Sequence, residues 1–304
     1  MYDRIAQNVR RTYLLMFVFA LLIMALAYAI GEATGYGWEI VIVGFALAVV
    51  LSLYGFYRSD RLTLALSGAR PVTKEQEPTF YNLVENTAIA AGLPMPAVYV
   101  IESPAANAFA TGRDPQHAAI ATTRGLLNKL EKVELEGVVA HEMSHIKNYD
   151  SRLMTIVVVL AGVIVLISDL FLRATYWGGA GRRRDRGGQG QALMLIIAIL
   201  LAILAPLAAT LIRLAISRRR EYLADAEAAL LTRYPEGLAR ALEKLAQDET
   251  PLLTASNATA HLYVVNPLKR RAAGGWLASL FNTHPPIEER IAALRSMIGP
   301  ESFA

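Results

Sequence analysis

The sequence predicts a mostly α-helical membrane protein, with up to four transmembrane helices joined to a polar α+β domain that holds a small sheet. Three observations carry that expectation. Four long apolar runs are nearly free of charge. Hydrophobic residues make up 54% of the chain and charged residues 18%, with a mean hydropathy of +0.35; soluble domains run about 45–50% apolar and about 25% charged. Two polar segments, roughly 57–152 and 217–304, carry the short periodic patterns of a folded domain.

The first run spans Thr12 to Gly31 without a charge. A helix needs about 20 apolar residues to cross the ~30 Å hydrocarbon core. The run is too long for a signal-peptide core, and no clear small-residue cleavage site follows it. The second run, Ile40 to Tyr57, lies between Glu39 and Arg58. The third, Leu153 to Leu172, is interrupted only by Asp169, and the fourth, Ala192 to Ile212, carries a kinking Pro206. A chain of 304 residues cannot bury all of these as core helices. The last two runs either cross the bilayer or form a hairpin that dips into it.

Lys and Arg set the expected orientation. Arg4, Arg10 and Arg11 flank the first run, whereas the loop before the second has only Glu32 and Glu39. The N-terminus and the segment after Tyr57 are therefore expected on the cytoplasmic side. Arg182, Arg183, Arg184 and Arg186, in the Gly/Arg-rich loop at 178–190, oppose a four-pass layout. Either that loop breaks the rule locally or the last two runs stay on one side. The expected units are 1–57 (first membrane pair), 58–152 (first part of the polar domain), 153–216 (second pair or hairpin) and 217–304 (the remainder).

The net charge of +4 and pI near 9.3 do not imply nucleic acid, because the arginines flank apolar runs and no aromatic-interleaved basic face accompanies them. The absence of cysteine excludes disulfides and thiolate metal sites, leaving His and carboxylate as ligands. Within the polar segments, Pro78 to Gly92 reads as a helix with proline at its start. Asn82, Glu85 and Asn86 lie opposite its apolar face. Ala97–Glu102 and Ala118–Thr122 read as strands, with Asn107–Thr111 as a third between them. Glu131 to Asn148 reads as a helix leading almost directly into the third run.

That last helix carries the chemistry. Residues 138–150 read VVAHEMSHIKNYD. His141 and His145, four apart, project from one helix face, the spacing with which two imidazoles bind one Zn²⁺. Glu142 beside them suits a general base. Zinc acidifies a water toward neutrality, and Glu142 would take that proton and later return it to the leaving amine. A catalytic zinc keeps three protein ligands, and no third histidine follows at short spacing. After the fourth run, SRRREYLADAEAALL forms a helix on which Glu221 and Asp225 share a face. Glu221 is the expected third ligand, and Asp225 would accept a hydrogen bond from a ligand histidine. The alternative is a charged face pairing with Arg218 or Arg219. The two apolar runs between His145 and Glu221 return the chain to the same side, as a shared site requires. A transporter would put ionisable residues inside its spans, yet only Asp169 lies in one; a non-hydrolytic scaffold would have no need of Glu142.

HEMSH with KNYD, then REYLADAEAA, then LFNTHPPIEERIAAL at 280–294 resemble the HtpX family of integral-membrane zinc metallopeptidases, gluzincin-like relatives of the CAAX-prenyl endopeptidase. The resemblance runs across nearly the whole chain. It implies a zincin-like domain with one Zn²⁺ per chain, ligated by His141, His145 and Glu221, with Glu142 as base. It implies a multi-pass protein of the bacterial plasma (inner) membrane with its active site on the cytoplasmic side. Its expected partners are the lipid bilayer and unfolded or membrane-protein polypeptides, cut as misfolded or damaged proteins under stress; no oligomeric state is implied. Asn107, Ala108, Phe109 and Ala110 resemble the family's edge strand, which would pair with an extended substrate; the alternative is a plain strand of the fold. His284, between Thr283 and Pro285, would hydrogen-bond the oxyanion or serve as a structural cap. His117 and His261 have no partner pattern and are read as non-catalytic.

Overall fold

The computed structural model describes residues 2–34, 38–160, 218–252, 262–265 and 285–297. The third apolar run beyond residue 160, the whole of the fourth, the loop at 178–190, His261 and His284 lie outside the described residues. Helix α1 runs Tyr2–Thr34 and α2 runs Trp38–Leu66. Both extend past the charge-free runs, because the flanking polar turns keep helical geometry. Each contains a stretch long and apolar enough to cross a membrane, Ile5–Ala25 and Val41–Leu66. Along α1 the buried residues are Asn8, Thr12, Leu15, Phe19, Ile23 and Ala27, a stripe at three- and four-residue spacing. The helices approach closely where that stripe ends: a Cβ added to Gly44 would lie 2.4 Å from that of Ala27. Small residues at such a crossing let backbones approach.

A four-stranded sheet follows. Its strands are β1 (Ala69–Pro71), β2 (Ala97–Ile101), β3 (Ala108–Gly112) and β4 (Ala118–Thr123), in the order β1-β2-β4-β3. Only β2 and β4 are parallel. The three strands expected between 97 and 122 are present. The short β1 was not foreseen; it ends in Pro71, which cannot donate to a ladder and suits an edge. With β1 at one edge, β3 forms the other.

The sheet is buried on both faces, by period-2 alternation. Val98, Val100, Ala108, Ala110 and Ile120 enter a core with Phe80, Leu83, Val84, Val138, Val139 and Met143. Ile101, Phe109, Ala119 and Ala121 face Leu64, Met154, Val158 and Tyr263. The sheet thus lies between the polar-domain helices and the ends of the apolar ones.

Helix α3 (Pro78–Ala91) starts on a proline and ends at Gly92 with φ 67, a left-handed C-cap that glycine adopts without strain. A short α4 (Arg124–Lys129) starts where the Thr123 side chain accepts the N–H of Leu126 at 3.2 Å. Helix α5 (Lys132–Lys147) is the centre of the domain and is buried continuously from Gly137 to Ile146. Its first turn is secured by Glu134, whose carboxylate accepts the Glu131 N–H at 2.8 Å and pairs with Lys244 at 2.7 Å. At Asn148 the helix stops and Tyr149 takes φ 59, a costly conformation for a bulky residue. The chain turns there into α6, described over 150–160 and fully buried. Helices α7 (Arg218–Thr232), α8 (Pro235–Gln247) and α9 (Ile287–Ser296) complete the domain. A Cβ on Gly137 would meet the Leu238 backbone at 2.7 Å, so α5 and α8 pack at backbone distance.

Candidate metal centre

On α5, His141 and His145 present their rings to each other, 4.7 Å apart between centroids and perpendicular. The one-turn spacing places both Nε2 atoms together, 3.2 Å apart. Helix α7 brings Glu221 against them. Its carboxylate lies 3.9 Å from His141 Nε2 and 3.7 Å from His145 Nε2. All three residues are buried, and among the described residues they form the group of nitrogen and oxygen donors able to hold a metal ion.

Each imidazole has its own carboxylate behind it. His141 Nδ1 lies 2.9 Å from Asp225 Oδ1, and His145 Nδ1 lies 3.3 Å from Asp150 Oδ2. A carboxylate accepts, so each Nδ1 carries the hydrogen and each Nε2 is left with its lone pair. The two lone pairs then face each other beside a carboxylate. A proton on His145, or a cation among the three groups, relieves the repulsion between them. Ligands held tetrahedrally at about 2.0–2.1 Å stand roughly 3.3 Å apart, close to the separations here. The donor set therefore fits a divalent cation.

Arg290 of α9 is fully buried and forks onto Asp225, with Nε to Oδ2 at 2.8 Å and Nη2 to Oδ1 at 2.6 Å. Its Nη1 lies 3.6 Å from Glu221 Oε2. Burial works against its charge, but Asp225, Glu221 and Glu142 more than offset that and keep it protonated. Asp225 is buried against His141 and Arg290, not on an ordinary charged face paired with Arg218 or Arg219. Arg290 was present in the EER of the C-terminal motif, but nothing local marks it as part of the site.

Glu142 is buried on the same helix. Burial, aided by Glu221, raises its pKa to about 7, against the opposing pull of His145, Arg290 and the Ala110 N–H. A carboxylate poised near neutrality suits proton transfer in either direction. The two histidines are pushed apart: burial lowers His141, whereas the carboxylates of Asp150, Glu221 and Glu142 overcome burial at His145 and raise it to about 9. Asp150, which ends the KNYD segment, is the second site residue that the sequence reading missed.

Among the residues of 107–110, Ala110 contacts this centre. Ala110 of the edge strand β3 directs its N–H at Glu142. The strand's outer edge is met by a segment of the same chain. Val264 N–H donates to Ala108 O at 3.0 Å, and the Asn107 amide donates to Val265 O at 2.7 Å. Phe109 faces away from the helix α5 core and packs edge-on against Tyr263, centroids 5.1 Å apart. His117 is half-exposed on a short 3₁₀ turn (Pro115–His117), bonded to Asp114 and remote from the centre in its contacts.

The sequence profile of Peptidase family M48 matches residues 74–298. A protein named Protease HtpX homolog from Dictyoglomus thermophilum is 46% identical over 296 residues, spanning 97% of this chain and 94% of that one. Another of the same name from Caldanaerobacter subterraneus is 46% identical over 301 residues, spanning 98% of both. The crystal structure of S. mikatae Ste24p is similar at 21% identity with a TM-score of 0.48, over 97% of this chain and 66% of that one.

Proposed function

The chain belongs to peptidase family M48 and is an HtpX-like metalloprotease, and from that premise we propose that it is a membrane-bound zinc endopeptidase acting on unfolded stretches of misfolded or damaged membrane proteins. The observation that carries the site assignment is the convergence of His141, His145 and Glu221, from two helices far apart in sequence, with a carboxylate behind each imidazole.

In this reading His141, His145 and Glu221 hold the metal, and Asp225 and Asp150 fix the tautomer of one histidine each. Zinc, when bound, supplies Lewis acidity at the scissile carbonyl and acidifies water. Glu142 accepts a proton at its carboxylate and delivers it to the leaving nitrogen, two transfers that a pKa near 7 serves about equally. Arg290 holds Asp225 and so keeps His141 oriented. His284, outside the described residues, is proposed to donate to the oxyanion.

The edge of β3 is proposed to bind substrate as an added strand. Support comes from Val264 and Val265, whose peptide groups already engage Ala108 and Asn107. A substrate backbone using those groups would displace this segment. Such an edge reads backbone more than side chains, so selection would rest on exposure and flexibility. That is the logic of a protease that removes damaged proteins under stress.

The membrane assignment rests on α1 and α2, whose apolar residues largely face outward, and on α5 leading into α6 within three residues. The arginine bias supports a centre on the cytoplasmic side, and the HtpX-like relatives support a bacterial plasma membrane. The proposed units remain 1–57, 58–152, 153–216 and 217–304, with the second pair either crossing or dipping.

The test is cleavage of an unfolded, labelled soluble protein and of an unfolded membrane protein by detergent-purified enzyme, beside Glu142→Gln. Loss of cutting in the variant supports the reading. A wild type that cuts only rigidly folded soluble proteins contradicts the substrate class.

A further inference from the structure

We propose that Asn8, in the first apolar helix, is a positioning residue for the metal centre, holding Asp150 against His145 from the membrane side. Asn8 lies outside residues 74–298, the segment matched by the family profile. It is 4% exposed, and a buried amide among apolar neighbours is costly unless its hydrogen bonds are made.

Those bonds go to the α5–α6 turn and to the start of α7, the two segments that carry the site. Both Nδ2 hydrogens are used, one on Asn148 O at 2.9 Å and one on Asp150 Oδ1 at 2.8 Å. These residues flank Tyr149, whose left-handed φ of 59 makes the α5–α6 turn a conformation that needs outside support. The Asn8 Oδ1 accepts from Arg220 Nη1 at 3.1 Å, and Arg220 precedes the ligand Glu221. Arg220 Nη1 also lies 3.4 Å from Asp150 Oδ1. With Oδ1 held by Asn8 and Arg220, Oδ2 is left to face His145 Nδ1 at 3.3 Å. One amide thus ties a membrane helix to the carboxylate behind one ligand and to the residue preceding another.

A plain packing role would give α1 the same buried amide without this chain of contacts, so the two roles separate experimentally. Removing Asn8 takes away one of the two groups that hold Asp150 Oδ1, together with the amide that supports the turn. His145 then loses a fixed acceptor, which lowers affinity for the metal and the rate at saturating metal. KM changes little, because Asn8 does not touch the proposed substrate edge. Loss of an outer partner of a ligand histidine typically costs 10–100-fold; acting one bond further out, Asn8 is expected at about the lower end of that range.

The inference rests on His145 being a ligand. The test uses the full-length protein in detergent micelles, with zinc affinity measured by competition with a chromophoric chelator, and kcat and KM measured at saturating zinc. The variants are Asn8→Leu, Asp150→Asn, the two together, and Leu15→Ala as a packing control on the same face of α1. The expected result is an approximately tenfold loss of zinc affinity in Asn8→Leu, with kcat reduced and KM within about twofold. The double variant is no worse than Asp150→Asn alone, since both act through one bond. Leu15→Ala lowers the melting temperature and leaves zinc affinity unchanged. Unchanged zinc affinity in Asn8→Leu, or losses that multiply in the double variant, overturns the inference alone. A His145→Ala protein that still holds zinc at wild-type affinity overturns the ligand reading and the inference with it.

Discussion

The α1–α2 pair and the α5–α7–α9 centre both invert the ordinary rule of burial, and they do so for opposite reasons. On the paired helices, Trp38, Ile42, Val43 and Phe17 point outward while Asn8, Thr12, Ser59 and Thr63 point in. At the centre, two histidines, three acids and an arginine, His141, His145, Glu142, Glu221, Asp225 and Arg290, lie at 5% exposure or less. An outward apolar face is explained by an apolar solvent. A buried charged cluster is explained by a charge that it encloses, because ionised groups leave water only when paired. Composition alone merges the two regions; burial separates them.

The comparison can be broken at its strongest point first. Removing Arg290 leaves Asp225 and Glu221 buried without their counter-charge, so Arg290→Ala is expected to cost about 3–5 kcal/mol. Thermal unfolding of the purified variant measures it, and a shift within experimental scatter would mean that the cluster is not interdependent. Asp225→Asn keeps the shape and removes the acceptor charge behind His141. A 10–100-fold weaker hold on zinc is expected, read by chelator competition.

A smaller effect is expected where the chain covers its own sheet edge. Val264→Pro deletes the N–H that reaches Ala108 O, loosening the segment from β3. One such bond is worth about 0.5–1.5 kcal/mol, so KM for an extended peptide should fall by a few-fold. A raised KM would mean that the segment helps to bind substrate and does not compete with it. The smallest effect belongs to the outward face of the paired helices. Ile42 is 68% exposed, so Ile42→Ser is expected within about 0.5 kcal/mol of wild type in detergent, whereas Leu15→Ala on the inner stripe costs about 2–5 kcal/mol. Equal losses at the two positions would mean that α2 is covered by protein.

What was legible in the sequence was whatever repeats along one helix. His141, Glu142 and His145 are neighbours on α5, and Glu221 and Asp225 are one turn apart on α7, so spacing alone groups them. The expected partnership of Asp225 with a ligand histidine follows from the same logic, and Asp225 lies 2.9 Å from His141. Arg290, Asp150 and Asn8 enter the site through tertiary contacts, and no periodicity marks them. The short β1 and α4 fall below the length at which a pattern is readable. Helix α8 is a different case: Leu238, Ala241, Leu242 and Leu245 are buried at helical spacing behind Pro235, a signal that was present and passed over. The sheet's burial on both faces was also hidden, because its second cover is the ends of helices that read as membrane spans.

The most direct measurement is the zinc content of three purified full-length proteins, wild type, Glu142→Gln and Glu221→Gln, alongside their cleavage of one unfolded substrate. If Glu221 is a ligand and Glu142 the base, the wild type and Glu142→Gln each hold about one zinc per chain, Glu221→Gln loses it, and only the wild type cuts. Full zinc in Glu221→Gln, or undiminished cutting by Glu142→Gln, would contradict the centre described here.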